Sequence, residues 1–521
     1  MSLFKSASIV SLLTLASRIT GLVRDLLMGS VFGVSALTDA FNVAFRIPNL
    51  FRRVLGEGAF TQAFVPVLAA VRTESGDAGA RALADHVATL LAWTLVLLCV
   101  AGVVGAPWMV WAMASGLAQT GQGFDAAVVM TRWMFPYIGF MSLVALAGGI
   151  LNTWRKFAVP AASPVLLNVA LILSIVVGAP IFQRWGIEPI YAQCVGVMVG
   201  GLLQLAIQLP ALRRIGMLPR IGASLGALRA AWRDPSTRKI TGLMLPALLG
   251  VSVAQISLLI NTQIASHLAE GSVTWLSYAD RLMEFPTAML GVALGVVLMP
   301  QLAGARAAQD DARYSAMLDW GLRLVVLLAL PSAVALLVFS EPLVAVLFHN
   351  GALTGQDVQR IAAALTHYGI GLVGIVAIKV LAPGYYARHD MRTPMQIAVV
   401  VLIFTQILNF FLVPVFQHAA LTLTIALGAL LNALWLLVGL VRRGSYRPEP
   451  GWLRFAFQVL AATALLGALL WWGAQHFDWI ALREARWRRI GLLVAMLCAS
   501  AVLYFGALAV VGVKLRSFMR R

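Results

Sequence analysis

The stretch TDAFNVAFRIPNLFRRVLGEGAFTQAFVPVLA, residues 38–69, is apolar enough to enter a bilayer, yet it carries Asp39, Arg46, Arg52, Arg53 and Glu57. Asp39, Asn42, Arg46, Asn49, Arg53 and Glu57 recur three and four residues apart. At 100° per residue they fall within an arc of about 80°, and along a helix they run about 27 Å. That length is close to the thickness of a hydrocarbon core. A polar stripe of this length reads as the wall of a hydrophilic cavity crossing a membrane.

The rest of the chain agrees. Of 521 residues, 60% are hydrophobic and 12% charged, and the mean hydropathy is +0.87. Soluble proteins carry about 25% charged residues, so an ordinary soluble enzyme is excluded, as is a disordered chain. Spans of about 20 mostly apolar residues occur at 7–32, 37–70, 86–112, 128–151, 158–181, 190–212, 240–266, 273–302, 317–339, 359–383, 394–416, 419–441, 453–474 and 488–512. The runs are continuously apolar rather than alternating, which argues against a barrel. The fold class is therefore an all-α polytopic membrane protein of about fourteen transmembrane helices. The segment after Lys5 reads as a retained first helix, because Arg18, Arg24 and Asp25 interrupt any signal-peptide pattern.

The net charge of +18 fits basic loops on the cytoplasmic side and implies no nucleic acid. With the N-terminus inside, 25 of the 39 basic residues lie in or beside cytoplasmic loops and tails, and six lie outside. Both termini are expected to be cytoplasmic. Four of the six exceptions, Arg483, Arg486, Arg488 and Arg489, crowd into the loop before the last span. Segment 220–239 is expected to form an amphipathic helix on the inner leaflet, with Ile221, Leu225, Leu228 and Trp232 at helical spacing beside Arg229 and Arg233. A solvated basic linker is the alternative.

An internal repeat divides the chain. Pro48 and then VPVLA (65–69) in the second span match Pro286 and then MPQLA (299–303) in the eighth. This suggests two pseudo-symmetric six-helix lobes, 1–219 and 240–441, with two further helices in 442–521, a plan common among transporters.

Thirteen charges fall inside spans, and eleven of them lie in spans one, two and eight. Facing lipid, thirteen charges would oppose insertion by roughly 30–45 kcal/mol. Most must face one another or a watery cavity, while those near span ends can snorkel. Asp280 and Glu284 share a face of the eighth span with Arg281 beside them, and Arg18 and Asp25 stand two turns apart on the first. For Asp25, Asp280 and Arg53, ion pairs that merely lock helices together remain an alternative. Arg132 and Lys379 stand near span ends and are read as snorkelling. Arginine in excess over carboxylate suits an anionic, phosphate-bearing substrate, because guanidinium binds phosphate bidentately at any accessible pH. No nucleotide loop and no metal-ligand spacing is present, and Cys99, Cys194 and Cys498 stand apart. The reading is a carrier with no catalytic residues, no cofactor and no metal.

These residues bring a family into view. SRITGLVRDLLMGSVFG (17–33), the 38–69 stretch and YADRLMEFPTAMLGVALGVVLMPQLA (278–303) resemble the MurJ (MviN) lipid II flippases. So do LNTWRKFAVPAASPVLLN (151–168), DWGLRLVVLLALPSAVAL (319–336) and VLAPGYYARHDMRTP (380–394). The family belongs to the multidrug/oligosaccharidyl-lipid/polysaccharide exporter superfamily. The resemblance implies two lobes around a V-shaped cavity, with helices thirteen and fourteen forming a groove for an undecaprenyl tail. It implies movement of lipid II from the inner to the outer leaflet of a bacterial inner membrane by a monomer. It assigns Arg18, Arg24, Arg52 and Arg281 to the pyrophosphate, Asp39 to the gate, and Ser17, Asn49, Glu57 and Glu284 to further polar lining. Under the N-in topology Arg24 and Asp39 both lie near the outer mouth, so an Arg24–Asp39 contact is expected to close it. Asp25, Asn42, Arg46, Arg53 and Asp280 complete the expected lining. Some relatives hold sodium with carboxylates on helices seven and eleven; here spans 240–266 and 394–416 contain none, and Asn261 and Asn409 stand in that region. A drug or cation exporter of the same superfamily and a non-transporting scaffold are the rival readings; the first would favour carboxylates in excess, and the second leaves the charged stripe unexplained.

Overall fold

The computed structural model describes residues 3–52 and 60–513. Arg53 and Glu57 of the predicted stripe, and Lys514, Arg516, Arg520 and Arg521 of the predicted tail, lie outside the described residues. Every regular element among the described residues is a helix. The chain forms two compact units, Met1–Val273 and Thr274–Arg521.

The first unit contains α1 (Leu3–Phe32), α2 (Ala36–Phe51), α3 (Thr61–Val104), α4 (Ala106–Ala114), α5 (Gly123–Met134), α6 (Tyr137–Thr153), α7 (Ala158–Leu173), α8 (Ala179–Arg184), α9 (Tyr191–Arg214), α10 (Leu225–Arg233) and α11 (Pro235–Ser266). Helix α12 (Ser272–Ala307) begins at the boundary. The second unit continues with α13 (Asp311–Val338), α14 (Ser340–Phe348), α15 (Gly355–Tyr386), α16 (Arg392–Phe416), α17 (His418–Arg442), α18 (Trp452–His476) and α19 (Arg486–Val510).

Ten helical runs among the described residues are long and apolar enough to cross a membrane. The four remaining predicted spans coincide with α1, with α2 and the start of α3, with α11 and with α12. Exposed apolar side chains such as Ile403, Ile407, Phe410 and Phe411 of α16 are what a lipid-facing helix presents.

Three local departures from simple spans have physical causes. Helix α3 is two helices joined at Gly76, whose φ of 67° and ψ of −168° break the helical path; a residue with a Cβ resists that conformation. The turn between the second and third spans is thus one residue wide rather than a long loop. The predicted span 128–151 breaks between α5 and α6 at Phe135 and Pro136. The fifth span contains a π turn at Ser174–Gly178.

Helix starts follow their caps. Ser35 opens α2 with a capping box, its Oγ accepting from Thr38 N at 3.3 Å while Thr38 Oγ1 accepts from Ser35 N at 2.8 Å. Thr354 and Asp357 do the same for α15. Within the linker, Ser224 caps α10 and Asp234 caps α11. Helix α10 starts at Leu225, so Ile221 precedes it; Leu225, Trp232, Arg229 and Arg233 are exposed and Ala231 is buried.

Lipid offers no hydrophobic drive for helices to associate, so close backbone approach supplies packing. In the second unit α15 meets α17 through Gly371 and Gly374. A Cβ built on Gly371 would stand 2.3 Å from Ala426 Cα, and one on Gly374 would stand 2.8 Å from the Ala429 carbonyl carbon.

Asp319 ties the start of α18 to α13. Its carboxylate is 1% exposed and accepts from Trp452 Nε1 at 2.6 Å, Tyr446 OH at 2.8 Å, Glu449 N at 3.1 Å and Arg323 Nε at 2.7 Å. Burial and the Asp319 carboxylate raise the Tyr446 phenol above its ordinary range. At the end of α15, Asp390 accepts from Arg443 Nη1 at 2.6 Å. That guanidinium first, then Thr393, holds the Asp390 carboxyl down to about 2.

Candidate functional site

On α1 the exposed side chains Leu12, Leu15, Ile19 and Val23 recur three and four residues apart, forming one apolar stripe. Ser17, Arg18, Arg24 and Asp25 are half-buried on the rest of the helix. The polar face is therefore turned inward, as the insertion cost of a charge in lipid requires.

Arg24 and Asp25 are 12% and 14% exposed at their side chains. Arg24 donates to Asp25 Oδ1 from Nη2 at 2.6 Å and from Nε at 2.8 Å, and its Nη1 reaches Asn168 Oδ1 on α7 at 3.2 Å. Asn168 Nδ2 in turn donates to Ser17 O at 2.9 Å and to Thr20 Oγ1 at 3.3 Å. A Cβ on Gly21 would lie at ordinary contact distance, 3.4 Å, from the Asn168 amide nitrogen. Ser17, Arg24 and Asp25 thus form one network with a residue of α7. Arg18 has no hydrogen-bond partner among the described residues.

The α2 face is built differently. Asn42 Nδ2 and Asn49 Nδ2 donate back to the Thr38 and Phe45 carbonyls at 2.9 and 3.0 Å, and Arg52 Nε donates to Asn49 Oδ1 at 3.2 Å. Arg46 Nη1 donates to Thr262 Oγ1 of α11 at 2.8 Å. Asn42, Arg46, Asn49 and Arg52 are all half-buried. Asp39 is 3% exposed and its Oδ2 accepts from Gly271 N at 2.8 Å. A reciprocal bond runs from Ala36 N to Glu270 Oε1 at 2.7 Å. The start of α2 and the connector after α11 therefore clasp each other, each supplying a carboxylate to the other's backbone amide.

In the second unit, Asp280 of α12 accepts from Tyr368 OH of α15. Arg281 Nη1 donates to Glu284 Oε2 at 3.0 Å, with side chains 31% and 54% exposed. Lys379 Nζ lies 3.5 Å from Thr287 O. Asn409 is buried; its Oδ1 accepts from Thr424 at 2.6 Å, and its Nδ2 donates to Gln406 at 3.1 Å.

A family model described as lipid II flippase MurJ matches residues 28–486. The chain belongs to the lipid II flippase MurJ family. A lipid II flippase MurJ of Burkholderia cenocepacia is 52% identical over 521 residues, covering 100% of both chains. The solved structure of a lipid II flippase MurJ in an inward closed conformation superposes with a TM-score of 0.77 at 20% identity, covering 96% of this chain and 99% of that one. An inward-facing multidrug resistance MATE family transporter of the MOP superfamily superposes at 0.63 with 15% identity, covering 82% and 95%. The second and third likenesses are likenesses of fold alone.

Within this MurJ-family chain, the structure joins Ser17, Arg24 and Asp25, joins Asn49 to Arg52, and joins Arg281 to Glu284. It does not join Arg24 to Asp39 in this conformation: Arg24 is held by Asp25 and Asn168, and Asp39 by the Gly271 amide. Asn168, Thr262, Glu270, Gly271 and Tyr368 were not among the predicted site residues. Asn168 closes the family-like stretch 151–168, and Thr262 is a polar residue inside an apolar span; both signals were readable. Nothing local marks Gly271 or Tyr368.

Proposed function

We propose that this protein moves lipid II, the undecaprenyl-pyrophosphate-linked peptidoglycan precursor, from the inner to the outer leaflet of a bacterial inner membrane by alternating access. The observation that carries the reading is the inward polar face of α1 and α2. There Arg18, Arg24, Arg46 and Arg52 outnumber Asp25 and Asp39 among the described residues, and all six are buried or half-buried. Four guanidinium groups in a low-dielectric setting favour a multiply charged anion, and their planar forks match phosphate oxygens. A cation exporter would require the opposite balance.

In this reading Arg18, Arg24 and Arg52 grip the pyrophosphate, and Arg46 adds field. Arg281 of the second unit is proposed as a further phosphate donor on the family resemblance, with Glu284 and Asn49 as polar lining. Arg24 is pre-oriented by Asp25 and Asn168, so an incoming phosphate competes with one carboxylate for a guanidinium already in place. Asp39 is the proposed gate residue. Its clasp on Gly271 stabilises the conformation described here, and the two charges Arg24 and Asp39 meet only when both present contacts break. A substrate that weakens one set of contacts more than the other shifts the population between states, as transport requires. The apolar surfaces of α18 and α19, exposed at Phe457, Leu460, Val494 and Val502, suit a polyprenyl tail.

The test is complementation of a bacterium depleted of its own flippase, with membrane insertion checked in parallel. Arg24→Ala and Arg52→Ala should insert but fail to support growth, and lysine at either position should rescue only in part. Full function of both alanine variants would discard the phosphate assignment.

A further inference from the structure

The four arginines before the last span are used neither by the topology nor by the proposed site. Three of them, Arg483, Arg486 and Arg488, are exposed, while Arg489 is 1% exposed. Arg489 Nη2 donates to His349 O at 3.2 Å and to Asn350 Oδ1 at 3.3 Å. Its Nε and Nη1 have no hydrogen-bond partner among the described residues. Arg483 Nη2 donates to Gly351 O at 2.5 Å, and its Nη1 lies 3.5 Å from His349 Nε2.

Among the described residues, no carboxylate pairs with Arg489. His349 is held below its ordinary pKa by burial first and then by Arg483 and Arg489, and an imidazole supplies no negative charge in either protonation state. Asp357 is engaged by Trp275 Nε1 at 2.9 Å and by Thr354. Asp478 accepts from the Ile480 and Ala481 amides at 3.1 and 2.9 Å, and Glu484 is exposed. A buried guanidinium with open donors is a costly arrangement unless an anion completes it.

The surroundings indicate which anion. Trp487 is 83% exposed beside the cluster, and Trp471 and Trp472 are exposed near the adjoining end of α18. Tryptophan at a helix end marks the headgroup level of a bilayer. A phosphodiester there presents two free oxygens to a guanidinium fork. We propose that Arg486 and Arg488 at the rim and Arg489 beneath them form a binding site for a phosphate-bearing anion, the headgroup of an anionic phospholipid, at this end of the α18–α19 pair. Arg489 and Arg483 hold the turn His349–Gly351 beside the site. Under the N-in topology the site lies in the outer leaflet, and its headgroup offsets the four arginines that break the charge rule there. The site does not depend on the identity of the transported substrate.

The test uses the full chain in neutral detergent, with thermal unfolding followed during titration with phosphatidylglycerol, phosphatidylcholine or millimolar inorganic phosphate. Phosphatidylglycerol should raise the unfolding temperature where the other two do not. Arg489→Met, and separately Arg486→Gln with Arg488→Gln, should raise the half-saturating phosphatidylglycerol concentration about tenfold, the loss of one charge-assisted hydrogen bond. The exposed double variant keeps the test meaningful if the buried one does not fold. Lipid binding elsewhere on this basic chain is common to all variants and is removed by difference. Equal phosphatidylglycerol responses in wild type and the double variant would overturn the site. An equal response to inorganic phosphate would overturn the headgroup assignment.

Discussion

Arg24 and Asp25 separate a substrate site from a helix lock, because the two roles respond oppositely to a double substitution. Arg24→Ala removes two bonds to Asp25 and one to Asn168 and leaves a carboxylate that is 14% exposed without that partner. Breaking a buried pair from one side costs about 3–5 kcal/mol. The residual exposure of both groups, and the bonds Asn168 keeps to Ser17 and Thr20, place the expected loss near the lower end, about 3 kcal/mol. Asp25→Asn added to Arg24→Ala removes the carboxylate that Arg24 had offset and should return most of that stability, to within about 1 kcal/mol of wild type, since neutral groups cost far less to bury. Transport should not return, because the guanidinium that meets the phosphate is still missing. Asp25→Asn alone should keep transport measurable, with Arg24 still held by Asn168. Unfolding in detergent gives the stability arm, and lipid II translocation in cells depleted of their own flippase gives the functional arm. Recovery of both stability and translocation in the double variant would show that the pair is a lock and refute the phosphate role of Arg24.

Three further outcomes are expected. In a variant without Cys99, Cys194 and Cys498, Ser224→Cys at the start of α10 should be protected from an impermeant thiol reagent in intact cells; labelling from outside would reject the N-in topology. Asp39→Asn should weaken the clasp on Gly271 and speed the labelling of a cysteine placed at the buried Ala40, while impairing translocation; an unchanged labelling rate with normal translocation would make the clasp structural only. Asp390, held down to about 2 by Arg443 against an ordinary 3.8, should contribute its full stability above about pH 4 and lose it as the pH falls towards 2. Arg443→Gln should flatten that acid limb by less than about 1 kcal/mol, since half-exposed ion pairs are screened; an unaltered acid limb would show that the contact has no effect.

The helix layout was legible because continuous apolar runs of membrane length have few alternatives, and among the described residues the predicted spans fall on helices, with a break at Phe135 and Pro136 in the fourth. The breaks were not. Gly76 sits in TESGDAG, which reads as a loop, yet the helices on both sides run up to it because one residue with positive φ reverses nothing else. The inward face of α1 was readable from Arg18 and Asp25 standing two turns apart, opposite Leu12 and Ile19. The partner of Arg24 was harder to read: neighbours in sequence do not share a helix face, but a long guanidinium stem reaches back across that angle to Asp25. Asp39 was singled out by the family resemblance, whereas its contact with Gly271 was not foreseen, because a backbone amide leaves no trace in composition. The arginines around the start of α19 registered only as exceptions to a charge count; it took the burial of Arg489 to single them out.

The central claim concerns which leaflet lipid II occupies, and one measurement addresses it most directly. Cells relying on this protein as their only lipid II flippase would be acutely depleted of it, and lipid II exposed on the outer leaflet would be quantified with an impermeant modifying reagent before growth slows. The account predicts that outer-leaflet lipid II falls while the total rises, and that the wild-type chain restores the distribution where Arg52→Ala does not. An unchanged outer-leaflet fraction after verified loss of the protein would contradict it.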